Sequence, residues 1–121
     1  MTFFWSLLFS ASAQTSLLAE SRQRWIEGDP NGVISIIEPW LSYKQPPYGR
    51  ERSQLRYLLG NAYSATNEHT RAAEQFRIVA KYHPPLSRMA TYRAALSNLL
   101  AGHYWLSRSD CQKLRKKWPL S

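Results

Sequence analysis

The feature that most constrains this chain is a self-similarity at a spacing of 35 residues. Shifted by that amount, the segment 57–84 places Tyr57 on Tyr92, Ala62 on Ser97, Asn67 on Gly102, Ala72 on Ser107, Phe76 on Cys111, Val79 on Leu114 and Pro84 on Pro119. Small falls on small, apolar on apolar, and proline on proline. A period of this length marks units of paired elements that cannot bury their apolar faces alone, so neighbouring units must stack to form one continuous core.

Within the central unit the elements read as helices. Leu55, Leu58, Leu59, Ala62 and Tyr63 recur at spacings of three and four, as one buried helical face requires. Asn67 interrupts them and is suited to cap a second helix with Glu68 in its first turn. That second helix carries Ala72, Ala73, Phe76, Val79 and Ala80 on its apolar face, and His83-Pro84-Pro85 stops it, because proline lacks an amide donor and restricts its predecessor. In the next unit the same logic assigns Met89, Tyr92, Leu96, Leu99 and Leu100 to the buried face of a helix. It ends at Ala101-Gly102, where glycine suits a left-handed turn, and a last helix follows over about 104–117.

A first unit is fainter. It has a helix through Leu17, Leu18 and Trp25, a break at Gly28-Asp29-Pro30, and a second helix carrying Val33, Ile34, Ile36, Ile37 and Trp40. Asp29 before Pro30 makes a good helix start, a capping side chain followed by a residue whose missing donor would be orphaned anyway. Pro39 argues for a kink or an early end near Glu38, since a proline deep in a helix costs about 3 kcal/mol. The stretch 43–50 then forms a longer loop.

Leu59-Gly60-x2-Tyr63, Ala72-x3-Phe76 and Pro84 together resemble the tetratricopeptide repeat pattern W-x2-L-G-x2-Y, A-x3-F, P. Arg56 stands where that family has tryptophan. The neighbouring units match less well: Ala95 and Ser107 supply small residues, but Asn98 replaces the aromatic and Cys111 falls where Phe76 was. The resemblance implies an all-α fold, a right-handed superhelical solenoid of about three helix pairs over 14–47, 53–86 and 88–119. Gly60 and Ala72 would let the paired helices approach, and Tyr63 and Phe76 would fill the space between units. It also implies a concave face, lined by the first helix of each unit, that holds a peptide or helix of another protein. Arg22, Tyr57, Asn61, Ser64, Tyr92 and Arg93 are placed on that face.

Apolar residues at 44% of 121 put the chain among folding sequences, long enough for one compact domain. The formal charge of +8 is uneven, +1 over residues 1–60 and +7 over 61–121. Its densest part is Arg108, Lys113, Arg115, Lys116 and Lys117, a surface suited to an acidic partner, an anionic lipid surface or, in a cytoplasmic protein, nucleic acid. Residues 1–13 carry no charged side chain and pass from bulky apolar residues to an Ala-Ser-Ala ending, the grammar of a secretory signal without its usual basic start. We therefore expect a periplasmic or secreted protein of a bacterial-type cell envelope, for which nucleic acid is an improbable partner; if the segment is retained, it packs as an apolar helix in a cytoplasmic protein. It is too short to span a membrane, and no cysteine follows it for lipid attachment.

No catalytic residue, cofactor or metal site is expected. His69, His83 and His103 fall at loops or helix ends without ligand spacing, and Cys111, the lone cysteine, is expected on the inward face of its helix as a buried thiol. The expectation is a non-enzymatic scaffold. Leu106, Leu114 and Trp118 would leave the C-terminal end partly bare, open to a partner or a second copy. An alternative is the front segment of a longer cell-wall enzyme, because exported helical repeats precede catalytic domains in soluble lytic transglycosylases. Glu20-Ser21 is similar to the catalytic pair of that family, although no Gly-Leu-Met-Gln stretch follows.

Overall fold

The computed structural model describes residues 17–41 and 49–119. The signal-like segment 1–13 and most of the expected loop 43–50 lie outside them. All regular structure among the described residues is helical: α1 (17–26), α2 (Pro30–Leu41), α3 (Arg50–Ala65), α4 (His69–Tyr82), a 3-10 turn at Pro84–Leu86, α5 (Ser87–Leu100) and α6 (Tyr104–Lys117). Among α2 to α6, each helix packs against its chain neighbours.

One turn is built three times. Gly28, Asn67 and Gly102 adopt left-handed φ values of 76°, 64° and 83°. Each donates its amide to the carbonyl three residues back (Trp25, Ser64, Leu99), and the next residue donates to the carbonyl five back (Arg24, Tyr63, Asn98). This is the Schellman closure of a helix C-terminus. The residue after the left-handed one then accepts the first bond of the following helix, from Val33 to Asp29, Ala72 to Glu68 and Ser107 to His103. Asn67 thus ends α3 rather than capping α4, whose cap is Glu68. Asparagine suits both ends of a helix for different reasons: its short polar side chain tolerates the left-handed well at a C-terminus, and its side-chain oxygen can accept a backbone amide at an N-terminus.

The turns fold helices back in pairs: Arg56 meets Gln75 and Gly60 meets Phe76 across α3 and α4, and Asn98 meets Asp110 across α5 and α6. Successive pairs then lie side by side. Thr70 Oγ1 is 3.4 Å from His103 Nε2, Arg77 Nη2 is 3.8 Å from Asp110 Oδ2, and Arg93 Nε donates to the Tyr57 hydroxyl at 2.8 Å. These partners are 33, 33 and 36 residues apart, so equivalent helices of the two pairs run alongside each other in the same direction. The first pair joins through α2 and α3, where the Tyr63 hydroxyl donates to Glu38 at 2.8 Å and the Arg52 guanidinium lies 4.7 Å from the Trp40 ring centre.

Asp29 caps α2 as expected, its carboxylate accepting from the Gly32 amide at 3.0 Å. The helix does not end near Glu38 but continues through Pro39 to Leu41. Pro39 falls in the last turn, where the ring forfeits a single backbone bond with little helix left to disrupt.

The core runs through Val33, Ile37, Leu55, Leu59, Phe76 and Val79, with Leu18 from α1 and Ala90 and Ala94 from α5. Gly60 is needed at its place: a Cβ there would come within 2.7 Å of the Phe76 ring. Phe76 fills its own helix pair, edge-on to Tyr57 with centroids 5.5 Å apart, while Tyr63 is the aromatic that reaches the preceding pair. On α1, Leu18 is buried and Trp25 is exposed.

The largest departure concerns α5. Met89, Tyr92, Leu96, Leu99 and Leu100 all face outward, and the buried face consists of Ser87, Ala90, Thr91, Ala94, Ala95, Ser97 and Asn98. α5 lies between α4 and α6, and small side chains let both approach closely. Polar bonds replace apolar bulk: Ser87 Oγ donates to the Ala80 carbonyl, Ser107 Oγ to the Ala95 carbonyl, and the Asn98 amide to Asp110 Oδ2. Cys111 is likewise exposed rather than inward, because α6 presents Ser107 and Asp110 to α5 and its other side has no neighbour among the described residues.

Candidate interaction surfaces

Two of the residues expected on the binding face come together. Arg93 of α5 donates from Nε to the Tyr57 hydroxyl of α3, and its guanidinium carbon lies 5.8 Å from the centre of that ring. Both are partly buried, so this pair joins the two helices as well as marking the surface above them. Asn61, one turn after Tyr57, is also partly buried, with its Oδ1 lacking a hydrogen-bond partner among the described residues. Ser64 continues the same line, whereas Arg22 is exposed on α1.

Tyr92 lies elsewhere. In the repeat it corresponds to Tyr57, yet no described helix covers it, and it is 58% exposed. Leu96 and Leu99, the counterparts of Asn61 and Ser64, extend it into an apolar stripe along α5, with Met89 and Leu100 beside it. The stripe continues into an open groove where Met89 and Tyr92 face Leu114 and Trp118 of the α6 end, rimmed by Arg88 and Arg115. Leu106, Tyr104 and Trp105 add exposed apolar surface at the start of α6, with Trp105 82% exposed. Of the residues expected on a partly bare end, Leu106 is exposed while Leu114 and Trp118 are partly buried.

The basic residues of α6 line more than one surface. Lys113, Lys116 and Lys117 line a cleft with Arg77 and Lys81 of α4, Lys113 and Lys116 also meet Arg115 on the outer side of α6, Arg115 reaches the end groove, and Arg108 lies over the Trp105 ring at 6.0 Å. Sequence reasoning missed Arg77 and Lys81, which belong to another helix; that Lys113 follows Arg77 and Lys117 follows Lys81 by 36 residues, close to the repeat spacing, was the one available signal.

The histidines sit at helix ends: His69 opens α4, His83 follows it, and His103 precedes α6. No group of three His, Cys, Asp or Glu side chains among the described residues is placed to hold a metal ion. No described helix is long and apolar enough to cross a membrane. Glu20 is exposed on α1, beside the buried Ser21, whose hydroxyl donates to the Leu17 carbonyl. What the geometry defines is a class: among the described residues, an all-α arrangement of repeated helix pairs. The chain matches no family model, and no curated protein or solved structure matches it.

Proposed function

We propose that this chain is a non-enzymatic interaction module of the cell envelope, built from tetratricopeptide-like helix pairs wound into a right-handed superhelix, that holds a helix or peptide of another protein. The observation that carries this reading is the outward apolar stripe of α5, Tyr92, Leu96 and Leu99 with Met89 and Leu100. Contiguous apolar surface of this kind on a folded chain marks an interaction site. Within it Tyr92 is an aromatic side chain of the kind that dominates binding hot spots. The repeat supports the assignment, because the stripe occupies on α5 the positions that Tyr57, Asn61 and Ser64 hold on α3.

The test is affinity capture from an envelope extract with the full chain and with a Leu96→Asp, Leu99→Asp variant. Both positions are exposed, so the variant should keep its helical circular dichroism. It should lose the captured partner. Equal capture by both chains would overturn the reading. Envelope placement rests on residues 1–13, and cell fractionation that leaves the protein in the cytoplasm would remove it.

A further inference from the structure

On the other side of α5 from the apolar stripe, α4 and α6 flank a cleft of about 540 Å³. Its rim carries five cationic side chains, Arg77 and Lys81 from α4 and Lys113, Lys116 and Lys117 from α6. Its floor is formed by Ala80, Ser87, Thr91 and Ala94 with Trp118 at one end, and it is mainly apolar because the Ser87 and Thr91 hydroxyls are spent on the Ala80 and Ser87 carbonyls. Asp110 is the one carboxylate among the lining residues, and it is already engaged: it accepts from the Asn98 amide at 3.0 Å and pairs with Arg77 at 3.8 Å. None of the four lysines forms an ion pair among the described residues.

The helix dipole accounts for part of this. Cations are favourable in the last turn of a helix, where Lys81 of α4 and Lys116 and Lys117 of α6 are found. It does not account for Lys113, which lines this cleft and also, with Lys116 and Arg115, the outer side of α6, nor for the meeting of cations from two helices at one rim. Bringing like charges together on two helices is unfavourable unless an opposite charge arrives from outside.

We propose that this cleft receives an acidic segment of a partner protein, with carboxylates meeting the lysines of the rim and one apolar side chain seated on the floor. The separation of charge from apolar surface selects the ligand. A nucleic-acid backbone laid along the cleft would bring its phosphates over the apolar floor and the Asp110 carboxylate. A membrane surface would meet the rim alone and leave the floor uncovered. A peptide can alternate acidic and apolar side chains at the required places. The proposal concerns a different surface from the α5 stripe and stands independently of it.

The test uses the full chain and a fluorescein-labelled synthetic peptide with glutamates on both sides of a central leucine, read by fluorescence anisotropy at low and high salt. The peptide should bind, and binding should weaken as salt rises. A Lys81→Glu, Lys113→Glu variant should bind about tenfold more weakly, since two rim attractions become repulsions. Arg108→Glu, on the same helix but outside the cleft, should bind as the parent does. All these positions are exposed, and circular dichroism verifies that each variant folds. The Leu96→Asp, Leu99→Asp variant should retain this peptide, which separates a failure here from a failure of the stripe. Equal binding of a glutamine-for-glutamate peptide would overturn the proposal. So would an equal loss in the Arg108→Glu variant, or a preference of the cleft for single-stranded DNA or phosphatidylglycerol vesicles over the peptide.

Discussion

Tyr63 shows how much one side chain of this chain is asked to satisfy. Its ring is buried in the core, and its hydroxyl donates to Glu38 of the preceding helix pair. Burial disfavours the phenolate, and the hydrogen bond to Glu38 and that carboxylate's charge act in the same direction, so its pKa is pushed up to about 12 from 10.0. Because the folded value lies above the unfolded one, the contribution to stability is complete below about pH 10 and is lost as pH rises toward 12. Tyr63→Phe removes this titration. In urea denaturation at neutral pH the variant should lose about 1 kcal/mol through the missing hydrogen bond. The gap between parent and variant should narrow when the measurement is repeated from pH 10 to 12. A gap independent of pH would contradict the account. Gly60 carries a different burden, absence of a side chain, so that the Phe76 ring can lie against its backbone.

At the scale of the element, the repeated turn decides where every described helix pair folds back. Gly28 and Gly102 enter the left-handed region freely, whereas Asn67 pays a conformational cost for the same geometry. Nothing lies within 4 Å of a Cβ built on Gly102, so the effect of a substitution there is one of backbone conformation alone. We expect Asn67→Gly to stabilise the chain by roughly 0.5–1 kcal/mol and Gly102→Ala to destabilise it by about 1 kcal/mol. Thermal unfolding of the two variants measures both. A loss on Asn67→Gly would show that its side chain contributes more than its φ value costs.

For the whole molecule, the distribution of buried apolar surface is unequal. The core cluster draws side chains from α1 to α5 and none from α6, which is held through Ser107, Asp110 and Asn98 by hydrogen bonds and by close approach to α5. Elements with few buried apolar contacts open first. Amide hydrogen exchange should therefore be slowest in α3 and α4 and fastest, among α3 to α6, in α6. Occupation of the lysine-lined cleft should slow exchange in α6 by joining it to α4. Protection of α6 equal to that of α4 in the unliganded chain would show that the polar contacts suffice to make one cooperative unit.

Much of the architecture was legible from local patterns. The 35-residue self-similarity, the Gly28, Asn67 and Gly102 breaks, the Asp29 cap and the Pro84-Pro85 stop are chemical requirements of backbone geometry, readable one turn at a time. The buried face of α3 was legible for the same reason, since its large apolar residues lie on one side and nothing competes. On α5 two faces compete. One is large and apolar, the other small, and periodicity alone chose the large one. That periodicity identified the helix but could not orient it, because orientation depends on what packs against it: α4 and α6 press on the small face from two sides, and no described helix covers the large one. Cys111 was misplaced by the same cause. The cleft was illegible for a further reason, since Arg77 and Lys81 meet the α6 lysines only after successive helix pairs stack. By itself the sequence determined helices, turns and period, which depend on neighbours in the chain. Only the tertiary structure decided which faces are buried and which charges converge, because those depend on neighbours in space.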